Sequence, residues 1–279
     1  MGLAIAAAGS SRRFGGHDKL SQDLGGRPLL LRTIESFTKR AEVTAIVVAA
    51  PPDDLDGFRF RYGDQLGFHG AKIVAGGRID RWETVKNAIA ELPEDCTHIA
   101  IHDAARPGVS EDLLDRLFKA AERLDAVVPG IPVHGTIKRV NQSQDSAVRV
   151  SDRDPIADRL LGGGDDGDIA DNAQGVAEQD AARPIVETID RTGVVEIQTP
   201  QIFRAALLRA AFEALDADDA ADITDDAMVI ERYGDGGHVV HVVEGDPANL
   251  KVTRPSDLRL LRAIRGFRPP AERATPKRF

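Results

Sequence analysis

Residues 98–124 read HIAIHDAARPGVSEDLLDRLFKAAERL. The opening HIAIHD is a short apolar run of strand length, and from Ser110 onward the apolar residues recur at the three- and four-residue spacing of a helix. Ser110 followed by Glu111 and Asp112 supplies an N-cap with acids in the first turn, so the helix starts just beyond the loop HDAARP. A second strand-like run, DAVVPGIPV at 125–133, comes directly after it. Strand, helix, strand in this order, continued outward, implies a mostly parallel sheet with helices covering both faces. HDAARP then lies at the carboxyl end of a strand, where open α/β sheets bind ligands.

The alternation extends outward in both directions. Strands are expected at AIAAA (4–8), TAIVVAA (44–50) and AKIVAG (71–76), with helices at PLLLRTIESFTKRA (28–41) and RWETVKNAIAEL (81–92). After TIKRV (136–140) the periodicity is lost until PIVETIDR (184–191). Beyond it come helices from about Gln201 to Ala214 and from about Asp222 to Tyr233, a strand HVVHVVE (238–244), and a last helix PSDLRLLRAIRG after LKVTR. No internal repeat is present. The expectation is a single α/β domain over 1–279, with a loose, basic, proline-containing tail at 268–279.

Composition narrows the partners. The 279 residues carry a net charge of −9, but Ser151 to Ala182 alone hold nine Asp or Glu against two Arg, so the rest of the chain is near neutral. A near-neutral body has room for a local basic pocket that takes an anionic ligand, whereas the acidic excess argues against a broad nucleic-acid surface. No run approaches the length of a membrane-spanning helix, and GLAIAAA at the start lacks a preceding basic region, so it reads as a first strand rather than a leader. The lone cysteine, Cys96, reads as a core thiol, in keeping with a reducing cytoplasm. The excursion at about 141–184, with LGGGDDGD inside it, is either a poorly ordered tip or a small structured element.

Residues 6–19, AAAGSSRRFGGHDK, lie between the first strand and the helix expected at 28–41. Small residues let backbone N–H groups approach a phosphate, and Arg12, Arg13 and Lys19 can balance its charge. The loop has neither the G-K-[ST] of a Walker loop nor the G-x-G-x-x-G of dinucleotide folds. Taken alone it fits a phosphate cradle or an ordinary turn with solvated arginines.

Together with other stretches the loop carries a resemblance. AAAGSSRRFGGHDK, GGRIDRWETV (76–85), HDAARP (102–107), PVHGTIKR (132–139), ETIDRTG with QTPQIF (187–193 and 198–203), and ITDDA with NLKVTRPSDL (223–227 and 249–258) occur in one order. They resemble the nucleotidyltransferases that activate sugar and polyol phosphates, and more specifically the 2-C-methyl-D-erythritol 4-phosphate cytidylyltransferase family. The resemblance spans nearly the whole chain apart from the acidic excursion. It implies a Rossmann-like nucleotidyltransferase sheet with a protruding β-arm at 136–190, CTP as co-substrate, and Mg²⁺ on the triphosphate with no protein ligand assigned. In relatives the arm reaches into a neighbouring subunit, so a homodimer is implied.

The resemblance also distributes roles. Arg13 and Lys19 would stabilise the transition state, with Ala7, Ala8 and Gly9 lining the nucleotide. Gly77 and Thr84 match the positions that hold the cytosine, although Thr84 also suits a simple helix start. Ala104 would pack near the nucleotide, while Asp103, Arg106, Thr136 and Thr199 would contact the second substrate. Arg191 and Lys251 match the cations that position the incoming phosphate; as isolated residues they would read as surface charges. Ala6 stands where a proline is common, the interval from Arg13 to Lys19 is one residue short with Asp18 in place of a proline, and GGRIDR has one extra residue before its arginine. Two rivals remain: a cytidylyltransferase for ribitol 5-phosphate or another polyol phosphate, and a catalytically silent relative that binds or assembles.

Overall fold

The computed structural model describes residues 1–9, 14, 18–141, 148–149, 181–216, 220, 222–234 and 237–266. Arg12, Arg13, most of the acidic excursion and the 268–279 tail lie outside the described residues. In chain order the strands are β1 (Gly2–Ala6), β2 (Ala45–Ala50), β3 (Ala71–Ala75), β4 (His98–Asp103), β5 (Ala126–Pro132), β6 (Ile137–Val140), β7 (Val148–Arg149), β8 (Ala181–Ala182), β9 (Ile185–Ile189), β10 (Val195–Ile197), β11 (Gln201–Arg204) and β12 (His241–Glu244). The helices are α1 (Leu29–Thr38), α2 (Leu55–Phe68), α3 (Arg81–Ala90), α4 (Glu111–Ala121), α5 (Ala205–Ala214), α6 (Asp226–Tyr233) and α7 (Pro255–Arg265). The chain forms two compact units, residues 1–131 with 196–279, and residues 132–195.

The first unit holds an eight-stranded sheet in the order β10-β5-β11-β4-β1-β2-β3, with β12 also paired to β5. Strands β3, β2, β1 and β4 run parallel, β12 is parallel to β5, and β11 is antiparallel to both β4 and β5. The fold is thus the mostly parallel α/β sheet expected. Alternation along each strand sends residues to opposite faces. Leu3, Ile5, Ile46, Val48 and Ala100 share a core with α1, α2, α4 and α7; Ala4, Val47, Ala49, Ile99 and Ile101 share the other with α3, α5 and α6. Ser110 caps α4 as expected, its hydroxyl accepting from the Leu113 N–H at 3.3 Å.

Three elements differ from the sequence reading. The helix expected from about Gln201 begins at Ala205, because Gln201–Arg204 inserts as β11 between β4 and β5; Ile202 and Phe203 bury on opposite faces, which only an extended backbone allows. The helix expected from about Asp222 begins at Asp226, where Asp225 caps it by accepting from the Met228 N–H at 3.1 Å. Helix α2 is not signalled by the periodicity: Gly57, Gly63 and Gly67 lower its helix propensity, and exposed Phe60 and Phe68 blur the stripe of buried Phe58, Tyr62 and Leu66.

Among its described residues the second unit holds two antiparallel pairs: β6 with β9, in which Ile137 faces Ile189 and Arg139 faces Glu187, and β7 with β8. Beyond Val140 the Asn141 N–H donates to Pro184 O at 3.0 Å, closing the base of the excursion.

Phe37 on α1 is fully buried and meets the His102 ring edge-on at 5.0 Å, so one side chain ties a core helix to the HDAARP loop. Phe37→Ala is expected to cost about 3–5 kcal/mol by denaturant unfolding; a loss below about 1 kcal/mol would show that this contact is not part of the core.

Candidate active site

Loops at the carboxyl ends of β1, β3 and β4 meet because those strands are parallel and close neighbours. Backbone bonds fix them to one another: Ala7 N–H donates to Ala49 O at 2.9 Å, Gly76 N–H to Ala50 O at 2.8 Å, and Ala104 N–H to Ala6 O at 3.1 Å. They enclose a pocket of about 350 Å³ in the first unit. Ala7, Ala8, Gly9, Lys19, Gly77, Thr84, Asp103, Ala104 and Lys251, nine of the residues singled out from sequence, line it. Arg13 lies outside the described residues.

Gly77 is required by close approach, since a Cβ there would lie 2.3 Å from Glu83 Cβ and 2.8 Å from Thr84 N. Its N–H donates to the Thr84 hydroxyl at 3.0 Å, and the Glu83 carboxylate accepts from the Ile79 N–H at 3.1 Å. Thr84 therefore shapes the loop and keeps its hydroxyl proton to donate. The extra residue in GGRIDR is absorbed in this turn, ahead of α3, whose N-terminal end borders the pocket and favours an anion.

Asp18 fastens the backbone next to Lys19. Its carboxylate accepts from the Leu20 N–H at 2.9 Å and from the Tyr62 hydroxyl on α2 at 2.8 Å. Burial and then the neighbouring Asp18 push the Tyr62 phenol above its ordinary value, so it stays a donor. These two hydrogen bonds stiffen the backbone beside Lys19.

Asp103, at the end of β4, is the electrostatic centre. Its Oδ1 lies 3.3 Å from Arg81 Nε, and its Oδ2 lies 3.3 Å from Arg106 Nε and 2.9 Å from Lys251 Nζ. Burial alone would push this carboxyl up; Arg81, Lys251 and Arg106 outweigh it and hold the group well below the usual carboxylate range. Arg81 in turn contacts Asp226 Oδ2 at 2.8 Å, and the two carboxylates outweigh its own desolvation to raise its pKa further. Burial pushes the Asp226 carboxyl above its ordinary value while Arg81 pulls it back.

Arg106 and Thr199 are expected from the resemblance to meet substrate, but the structure engages both within the protein. Arg106 is buried behind Asp103 and donates to Asn249 O at 2.8 Å. The Thr199 hydroxyl accepts from the Asp103 N–H at 3.0 Å and stands 2.9 Å from His102 Nδ1. His102 Nε2 lies 3.0 Å from Arg106 O, a carbonyl that can only accept, so Nε2 carries the proton and Thr199 donates to Nδ1. Both residues thus reach the pocket through Asp103. Lys251 is held by its flanks: buried Asn249 donates to Thr199 O at 2.7 Å, and the Val252 N–H donates to Ala105 O at 2.8 Å.

Thr136 and Arg191 belong to the second unit. They sit at the same end of the β6–β9 ladder, one residue before β6 and two after β9, and both are exposed. Sequence reasoning passes over Arg81, Gln198, Asp226 and Asn249. All four sit inside strings quoted for the resemblance (GGRIDRWETV, QTPQIF, ITDDA, NLKVTRPSDL), but their partners are distant in the chain.

The family profile described as IspD, 2-C-methyl-D-erythritol 4-phosphate cytidylyltransferase, matches residues 1–158 and 170–266. The 2-C-methyl-D-erythritol 4-phosphate cytidylyltransferase of Frankia casuarinae is 33% identical over 97% of this chain and 83% of its own, and that of Salinibacter ruber is 32% identical over 100% and 97%. The crystal structure of the Thermus thermophilus 2-C-methyl-D-erythritol 4-phosphate cytidylyltransferase superposes with a TM-score of 0.62 at 26% identity, covering 94% of this chain and 97% of that one.

Burial lowers the His102 pKa to about 4, although Asp103 pulls it upward. In the unfolded chain the group titrates near 6.5, so between those values the unfolded state binds more protons. Stability from this group is complete above about pH 6.5 and should decline as pH falls toward 4, by on the order of 3 kcal/mol. Urea unfolding across that range, with the His102 imidazole followed by NMR, checks it. An imidazole that titrates near 6.5 in the folded protein would contradict the assignment.

Proposed function

This chain belongs to the 2-C-methyl-D-erythritol 4-phosphate cytidylyltransferase family, and from that membership we propose that its pocket joins CTP to 2-C-methyl-D-erythritol 4-phosphate. The products are 4-diphosphocytidyl-2-C-methyl-D-erythritol and pyrophosphate, in the non-mevalonate route to isoprenoids. The observation that carries this reading is Lys19 and Lys251 lining one pocket with a glycine-bearing loop at the carboxyl edge of a parallel sheet.

In the proposed reaction a phosphate oxygen of the polyol phosphate attacks the α-phosphorus of CTP, and the bond to the bridging oxygen of pyrophosphate breaks in line. No covalent enzyme intermediate forms, so the protein supplies position and charge. Arg13 and Lys19 offset the negative charge that grows on the transferred phosphoryl oxygens and on pyrophosphate. Ala7, Ala8, Gly9 and Ala104 give the nucleotide a close backbone wall, and Gly77 with Thr84 receives the cytosine. Lys251 and Arg191 aim the incoming phosphate. Asp103 orders the polyol end, backed by Arg106 and Thr199, with Thr136 as a further hydroxyl.

No protein ligand is assigned to Mg²⁺. Among the described residues no three His, Cys, Asp or Glu side chains gather, and both oxygens of Asp103 are engaged by cations. Mg²⁺ is assigned instead to the triphosphate of incoming CTP. A homodimer in which the 136–190 arm lends Thr136 and Arg191 to the neighbouring copy, and a cytoplasmic location, complete the proposal. Among the described residues no helix is long and apolar enough to cross a membrane.

Purified protein given CTP, Mg²⁺ and 2-C-methyl-D-erythritol 4-phosphate should release pyrophosphate; release only with ribitol 5-phosphate, or none with either, would overturn the substrate assignment. Lys251→Ala should lower kcat/KM by about 10²-fold or more while leaving the melting temperature within a few degrees. Equal loss of both would make Lys251 structural.

A further inference from the structure

The ITDDA string (223–227) is not used by the chemistry above, yet its second aspartate is almost wholly buried in the first unit. Asp226 opens α6, and that helix end is fastened twice to β11. Gln201 donates through Nε2 to Asp225 Oδ2 at 2.9 Å and accepts through Oε1 from the Ala227 N–H at 3.0 Å. Asp226 is therefore presented on a rigid first turn, and Arg81 Nη1 meets it at 2.8 Å. The other branch of the same guanidinium system, Nε, reaches Asp103 Oδ1 at 3.3 Å.

We propose that Arg81, clamped by Asp226, is a positioning residue for cytidylyl transfer: it holds Asp103 Oδ1 so that Oδ2 fixes the Lys251 ammonium on the pocket wall. The inference rests on the reading of this pocket as the transfer site. Two carboxylates face three cations in the cluster, which leaves one surplus positive charge. Arg81 is matched on both sides, by Asp226 and Asp103, and Arg106 is buried. Arg81 also borders the pocket, 27% exposed at its side chain but held by both carboxylates; Lys251, 41% exposed and bound to one, is the member most open to an incoming phosphate.

Without Arg81, Oδ1 would be buried and unpaired, and a carboxylate in that state draws the nearest mobile cation toward itself. That cation is Lys251, on its flexible stem. Without the Asp226 charge, Arg81 would be free to compete for the substrate's phosphate. Either change displaces the same ammonium group, and displacements of an ångström in such sites cost about 10²-fold in rate.

The test compares Arg81→Ala, Arg81→Lys and Asp226→Asn with wild type. Arg81→Ala and Asp226→Asn should lower kcat by about 10–100-fold, with KM for CTP within about threefold of wild type. Arg81→Lys, which keeps the charge, should recover at least a third of the lost rate. Activity falling only in step with the melting temperature, or Arg81→Lys no better than Arg81→Ala, would overturn the proposal. Inactive wild-type protein would instead count against the reaction itself. In that event crystal structures of the Arg81 variants still decide the positioning step: Lys251 Nζ unmoved relative to Ala104 in Arg81→Ala refutes it, and movement reversed in Arg81→Lys supports it.

Discussion

A single buried carboxylate organises the carboxyl edge of this protein's main sheet. Asp103 sits at the end of the central strand β4, out of water, and a charge in that setting survives only with close compensation. The compensation comes from three places far apart in the chain: the first turn of α3, the HDAARP loop itself, and the segment before α7. Buried ion pairs of this kind are weak sources of stability, because desolvation offsets most of the attraction. What they do supply is geometry. Each cation is fixed relative to the others by a common anion, so the pocket is set before any ligand arrives.

The neutral residues around Asp103 serve the same end. Thr199 accepts from the backbone beneath Asp103 and passes its own proton to His102, whose other nitrogen closes onto Arg106 O. Asn249 ties the Lys251 segment to Thr199 and receives Arg106. Sheet, loop and distant segment are locked by directional bonds with little freedom to relax independently.

The larger part of the fold is legible in the sequence because parallel strands buried on both faces leave unmistakable apolar runs, and because α4 announces its own start through Ser110. What escapes is of two kinds. Helix α2 carries glycines and exposed phenylalanines that obscure its period, and β11 is too short for period to speak; both are fixed by neighbours rather than by local preference. In the site, motif strings locate the pocket wall, but the strings cannot say which members touch a ligand and which touch one another. Arg106, Thr199 and Arg81 look alike as polar residues in matched motifs. Only pairing seen in three dimensions separates buried Arg106 and Thr199, and twice-paired Arg81, from the more exposed Lys251. Asp18 is of the same kind: its bonds to Leu20 and Tyr62, which stiffen the backbone beside Lys19, cannot be read from the motif.

The hydrogen bond from Asn141 to Pro184 at the end of the β6–β9 ladder has a further meaning. It brings the two ends of the 141–184 segment together, so the ladder below is closed whatever length of chain lies between them. Doubling the length of such a detour raises its closure cost by only about 0.6 kcal/mol. A change in the number of residues between Asn141 and Pro184 therefore carries little closure cost for the β6–β9 ladder.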